Sequence, residues 1–378
     1  MLNKTLWTVA AALALATACT APVIERSVVF AEGSDDCHFY RIPAMCLDCD
    51  GNIVVAVDRR YESIVDLGYR KTSIDISTKR STDGGRTWSD QTFIARGDTS
   101  KWIGFGYGDA SLTLTRSGKI VCLMACGNGP KGFRRGLKQT AISTSEDGGV
   151  SWSEPRTVPF PETIHSAFVT SGKGIVDADG DLLLSACVLA QDYPDPMPVP
   201  WPIEAHLFYS KDEGQTWTLD PAKAFTLADE SKLALLPDGR LLLNSRRGAY
   251  GPRGVNTAVK GEDGLWHWEG ERLAEGVEAN PCNADILVWE KDLLLFSYIK
   301  DKEARTGLTL AVSRDGGISW ADVMTLQEGA AAYSTMVRFR NGDVGVLYED
   351  GTASPDGGYD IVFLRIPRRL LQRALRPC

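Results

Sequence analysis

The sequence predicts an all-β fold, a six-bladed β-propeller of four-stranded antiparallel blades. Three observations carry that expectation: a short phrase written four times, six strand–turn–strand patterns, and 37 glycines in 378 residues. The copies are Ser81-Thr-Asp-Gly-Gly-Arg-Thr-Trp88, Ser145-Glu-Asp-Gly-Gly-Val-Ser-Trp152, Ser210-Lys-Asp-Glu-Gly-Gln-Thr-Trp217 and Ser313-Arg-Asp-Gly-Gly-Ile-Ser-Trp320. In such a turn the Asp accepts hydrogen bonds from nearby backbone N–H groups and the Gly takes the positive-φ position. The Trp offers a large apolar face to bury between neighbouring units. Repetition at regular intervals signals a repeat architecture.

Each copy follows two apolar runs joined by a tight turn. In order along the chain, Arg41–Leu47 and Asn52–Asp58 flank Asp48–Gly51, and Ala110–Thr115 and Ile120–Ala125 flank Arg116–Lys119. The pattern recurs around Asp177–Gly180, Pro237–Arg240, Glu290–Asp292 and Arg340–Asp343. These read as six hairpins. Between the third and fourth copies the interval lengthens from 65 to 103 residues, and Gly261-Glu-Asp-Gly-Leu-Trp-His-Trp268 sits halfway as a worn fifth copy. The sixth unit has none and ends on the β run Tyr359–Ile366. Repeated four-stranded units of this kind are expected to close as a propeller. The repeats are expected to span 28–367, after a linker at 20–27 and before a tail at 368–378, either a docked helix or an extension.

Residues 1–19 read as a targeting segment rather than structure. Lys4 precedes the apolar stretch Leu6–Ala18, and Ala16-Thr-Ala18 precedes Cys19, as in a bacterial lipoprotein signal; simple secretion after Ala18 is the alternative. The protein is therefore expected to be exported, to the periplasm, outer membrane or cell surface, or to be secreted, and to meet a membrane only through a lipid on Cys19. A monomer is expected. The net charge of −8 argues against nucleic acid as a partner. Of nine cysteines, Cys46-x-x-Cys49 and Cys122-x-x-x-Cys126 have metal-like spacing but no His at ligand distance along the chain. Buried thiols or disulfides are the expectation there, and no metal or cofactor.

Strand direction sorts the residues. In an up-and-down unit, the first and third turns share one rim, so the repeated phrases lie there. The second-to-third loops and inter-unit links lie on the other rim, including the long segments 59–73, 98–109, 191–202 and 300–307. Long loops on a rigid scaffold are where sites usually sit. The charged or nucleophilic residues on that rim are Arg41, Arg60, Asp66, Asp109, Glu230, Arg246, Arg305, Tyr333 and Glu349. Taken singly, an Arg at a strand end is ordinarily a solvated or paired surface residue, and a Tyr opening a strand ordinarily packs. Converging arginines repel one another, so their joint occurrence implies carboxylates beside them and an anionic ligand between them.

At these residues the chain resembles the bacterial exo-α-sialidases (neuraminidases). The motifs are Tyr40-Arg-Ile-Pro43, Val57-Asp-Arg-Arg-Tyr61 followed by Asp66, and Glu230-Ser231 followed by Leu241–Arg246. Arg305-Thr-Gly-Leu-Thr-Leu310, Ala332-Tyr-Ser334 and Gly345-Val-Leu-Tyr-Glu349 complete the set, and the repeated phrase is that family's Asp-box. The resemblance implies hydrolysis of terminal sialic acids from glycoproteins, glycolipids or oligosaccharides with retention of configuration. It implies an arginine triad of Arg41, Arg246 and Arg305 on the sugar carboxylate, with Glu349 holding Arg41. Tyr333 would be the nucleophile, Glu230 the base that takes its proton, and Asp66 the acid/base. Arg60 and Asp109 would bind ring substituents. A neutral tyrosine suits an anomeric carbon that already bears a carboxylate, and sialidases are the recognised exception to the paired-carboxylate rule of glycosidases. Phe105, Phe133 and Phe168 are candidates for the N-acetyl pocket, and Trp201, in a Pro-rich loop, for an aglycone contact. Transfer to another sugar or to the substrate's own hydroxyl, and sialic-acid binding without catalysis, are the alternatives.

Overall fold

The computed structural model describes residues 23–376 apart from 62, 68–72, 99–104, 128–135, 195–196, 199, 248–250 and 355–356. The expected targeting segment, Cys19 and Phe133 lie outside the described residues. Among the described residues the fold is all-β, with one short helix, Arg368–Ala374. The first sheet runs Phe39–Leu47, Ile53–Arg60, Ile74–Ser81, Thr92–Ala95 in that spatial order. Three five-stranded sheets follow, each an antiparallel meander with one added strand. A seven-stranded sheet ends the chain, because Ala321–Arg338 pairs with Thr306–Ser313 through its first half and with Val344–Asp350 through its second.

Central strands such as Ile120–Gly127 and Leu182–Leu189 are buried throughout, which is why they read as continuous apolar runs rather than alternating ones. Apolar layers join consecutive sheets; one combines Val54 and Ala56 with Ile120 and Cys122, the next Val121 and Leu123 with Leu182 and Leu184. A further layer joins the end of the chain to its beginning, through Tyr40, Ile53, Leu347 and Phe363. The expected linker differs. Glu25–Phe30 is a strand, paired with Asp360–Ile366 on the sheet's outer edge. The tail takes the helical alternative, with Leu371 buried beneath it.

The repeated turns are built alike. In the first, the Asp83 carboxylate accepts from the Arg86 and Thr87 N–H groups and from the Ser81 and Thr87 hydroxyls, while Ser81 Oγ accepts from Gly85 N. Gly149, at φ +85°, lies so close to the preceding sheet that a Cβ there would stand 2.8 Å from Val54 Cγ1. Gly317 meets Leu242 in the same way at 2.6 Å. The worn copy docks differently: Lys260 Nζ lies 2.6, 2.7 and 2.9 Å from Asp177, Asp179 and Asp181 of the preceding sheet. A salt-bridge cluster replaces the lost close contact.

The seven described cysteines are all free thiols, and only Cys49 is exposed. Of the two open expectations, the thiol holds for these.

Candidate active site

All nine candidate residues lie among the described residues, and contacts draw them together at the rim opposite the repeated turns. Three bear on strands interrupted by β-bulges. Pairing slips between Arg41 and Ala44, between Gly108 and Ser111, and between Ala331 and Ser334. An extra residue in one strand bends it and re-aims a side chain; here the side chains concerned are Arg41, Asp109 and Tyr333. The first two bulges force Ile42 to φ +57° and Asp109 to φ +52°. A β-branched residue at positive φ is strained. Glu349 holds that backbone: its Oε1 accepts from Ile42 N at 2.8 Å, and its Oε2 from Tyr333 N at 3.0 Å.

The same carboxylate grips Arg41, with Nε to Oε1 at 2.6 Å and Nη2 to Oε2 at 3.2 Å. A bidentate pair of this kind fixes the guanidinium plane. Arg41 Cζ lies 5.3 Å from the centre of the Tyr333 ring and Arg305 Cζ 5.5 Å from it. Arg246 reaches the hydroxyl end, with Nη1 3.2 Å from Tyr333 Oη and 2.5 Å from Glu230 Oε2. The Tyr333 hydroxyl donates to Glu230 Oε2 at 2.8 Å. Three guanidiniums thus surround one phenol whose proton already points at a buried carboxylate. Burial, then the Glu230 charge, pushes the Tyr333 hydroxyl well above its ordinary pKa against the pull of Arg246 and Arg305. The free phenol is neutral, and its proton has one acceptor.

A second cluster adjoins. Arg60 is buried and lies 2.9 Å from Asp66 Oδ1 and 2.8 Å from Asp58 Oδ2. Asp66 is the more open partner, with 42% of its side chain exposed. Asp58 Oδ1 accepts from Asp109 N at 3.0 Å. Burial pushes Asp109 well above the usual carboxylate range, with the neighbouring Asp58, Glu230 and Asp66 charges adding to it. Asp58 itself is pushed up to about 6, by burial against the opposing pull of Arg60.

Sequence reasoning missed two residues. Asp58 lies two positions before Arg60 in one strand and so on the same face; the alternation was there to be read. Tyr359 lays its ring 5.1 Å from Arg41 Cζ and sits just before its strand, where nothing local marks it. Phe168 is buried in a cluster with Leu67, against which Trp201 also packs. Phe105 is half-buried and makes an edge contact with Tyr107 at 5.4 Å.

Comparison with known proteins identifies the class. The BNR repeat-like domain matches residues 65–346, and the chain belongs to that family. Its relatives are sialidases. It is 29% identical over 366 residues to the sialidase of Micromonospora viridifaciens, covering 91% of this chain and 55% of that protein. It is 28% identical over 349 residues to the sialidase of Bacteroides fragilis (strain YCH46), covering 85% of this chain and 62% of that one. The solved structure titled Hadza microbial sialidase Hz136 is similar at 26% identity and TM-score 0.76, over 91% of this chain and 68% of that one. The chain thus spans a little over half the length of the two sequence relatives.

Proposed function

We propose that the protein is an exported exo-α-sialidase, which releases terminal sialic acids from glycoconjugates with retention through a tyrosyl-enzyme intermediate. The observation that carries this reading is the phenol of Tyr333, hydrogen-bonded to Glu230 at 2.8 Å and ringed by Arg41, Arg246 and Arg305. The three guanidiniums grip the sugar carboxylate and bring the anomeric carbon over the Tyr333 oxygen. That oxygen attacks as its proton passes to Glu230, and Asp66 protonates the departing glycosidic oxygen. In the second half, Asp66 takes a proton from water, the water oxygen displaces Tyr333 from the anomeric carbon, and Glu230 returns the proton to the phenolate. Arg60 and Asp109 bind ring substituents, and the cluster of Phe168 and Leu67 supports the neighbouring pocket wall. This chemistry asks nothing of a metal.

The matching fold is six four-stranded units closed as a propeller. The long strand Ala321–Arg338 serves as last strand of the fifth unit and first of the sixth, and Glu25–Phe30 supplies the sixth unit's outer strand. The apolar layer between the last and first sheets supports closure.

The test is release of fluorophore from a fluorogenic sialoside by the wild type and Tyr333→Phe, with product NMR. The expected outcome is activity in the wild type, first release of the α-anomer, and loss in Tyr333→Phe. A wild type without activity refutes the enzyme; full activity in Tyr333→Phe refutes the nucleophile; a transferred or anhydro product shows transfer rather than hydrolysis.

A further inference from the structure

The protein carries a net charge of −8, yet one corner of the repeat rim is strongly basic. The helix Arg368–Ala374 lies there on the 340–343 turn: Arg368 N donates to Asp343 Oδ1 at 2.9 Å, and Arg368 Nε reaches Glu290 at 2.9 Å. Arg314 of the fourth repeated phrase donates to Leu375 O at 3.1 Å, and Arg340 donates to Cys49 O at 2.5 Å. Arg314, Arg338, Arg340, Arg369, Arg373 and Arg376 are all exposed on this corner. Among the described residues no carboxylate pairs with any of them; the acidic neighbours Asp343 and Glu290 are taken by Arg365 and Arg368. The fold therefore groups six guanidiniums that make no salt bridge among the described residues, with Asp50 and Asp315 as the further exposed carboxylates next in sequence to Cys49 and Arg314.

We infer that this corner docks on an anionic phospholipid surface and turns the Tyr333 rim away from it. Charge complementarity is one ground, since polybasic clusters bind anionic membranes through the summed attraction of their charges. The point of chain entry is another. The strand Glu25–Phe30 begins at the repeat rim, where Glu25 pairs with Arg86 of the first phrase at 2.9 Å. Cys19, which bears a lipid under the lipoprotein alternative and not under simple secretion, precedes Glu25 by six residues, a reach of at most ~20 Å. A basic patch at that entry point adds its own attraction to an anionic surface, whether or not Cys19 carries a lipid. Arg338 and Tyr333 share one strand and stand ~17 Å apart along it. That exceeds the screening length of about 8 Å in physiological salt, so the patch can engage a surface without disturbing the site.

The test is co-sedimentation with phosphatidylcholine vesicles, with and without phosphatidylglycerol, at low and high salt. The protein carries Cys19→Ala so that no lipid is attached, and thermal melting checks folding of every variant. The account expects binding that needs phosphatidylglycerol and falls with salt. The combined variant Arg369→Glu, Arg373→Glu, Arg376→Glu should bind at least ~100-fold more weakly, from about fivefold per basic residue. Arg272→Glu, exposed on the fourth repeat sheet, should bind as before. Equal binding to both vesicle types, or a triple variant that melts normally and binds as before, would overturn the inference. So would retention on heparin without binding to the anionic vesicles, which would make the partner a soluble polyanion.

Discussion

The two rims of this molecule treat their carboxylates in opposite ways. On the repeat rim the Asp of each full repeated phrase is satisfied by donors within four residues, as with Ser145, Val150 and Ser151 around Asp147. Those donors, the Ser151 hydroxyl first, pull the Asp147 carboxyl down to about 2. On the other rim the carboxylates around Tyr333 find partners far along the chain, Glu349 to Arg41 and Glu230 to Tyr333. Burial there pushes Asp58, Asp109 and the Tyr333 hydroxyl up. One rim holds its charges at rest in water. The other buries most of them against one another, with Asp66 the open exception, and strongly perturbed groups of that kind tend to cluster at functional sites.

Substitutions should separate the rims, and the largest effect belongs to Tyr333. Tyr333→Phe should lower kcat by roughly 10³-fold or more, since it removes the proposed attacking oxygen; steady-state kinetics on an aryl sialoside measures it. Next, Arg305→Ala should weaken carboxylate recognition by about 2–3 kcal/mol, the value of a charge-assisted hydrogen bond. It should raise KM more than it lowers kcat, and weaken inhibition by a sialic-acid-like carboxylate in proportion.

Asp58→Asn tests the residue that the sequence reading passed over. It keeps an acceptor for Asp109 N but removes the charge facing Arg60. The expected cost is about 1–3 kcal/mol in kcat/KM. An unchanged kcat/KM would reduce Asp58 to packing.

On the repeat rim the readout should be stability alone. Gly317→Ala puts a Cβ at φ +90° and 2.6 Å from Leu242 Cδ2, costing about 1–3 kcal/mol with kcat unchanged; denaturant melts beside kinetics measure both. The smallest effect is a pH window. Asp147 is held below its unfolded value, so the unfolded state binds more protons and stability rises with pH across the gap. Its contribution is complete above pH ~4 and lost as pH falls through about 2. Asp147→Asn should flatten that part of the stability–pH curve, and the screened, open position of the turn keeps the effect small.

Legibility followed the same division. The repeated turns close their hydrogen bonds within four residues, so the pattern that names them also builds them, and strand direction then pointed to the opposite rim. The nine candidates could be picked out because the turns fix strand direction, and with it the rim to which a strand end or a long loop, such as those carrying Asp66 and Arg305, belongs. The strand pairing of Glu25–Phe30 with Asp360–Ile366 was not, because it joins the two ends of the chain and leaves no local mark. The unbroken strand Ala321–Arg338 was hidden by its polar and small middle, Gln327-Glu-Gly-Ala330. The bulges at Arg41, Asp109 and Tyr333 were invisible too, since pairing across strands creates them.

The most direct test of the central claim is to trap the intermediate. The wild type would be incubated with a 2,3-difluorinated sialic acid, digested, and mapped by peptide mass spectrometry. The account predicts one sialosyl adduct, on Tyr333, absent from Tyr333→Phe. An adduct on Glu230 or Asp66, or turnover of a sialoside with no adduct at all, would contradict it.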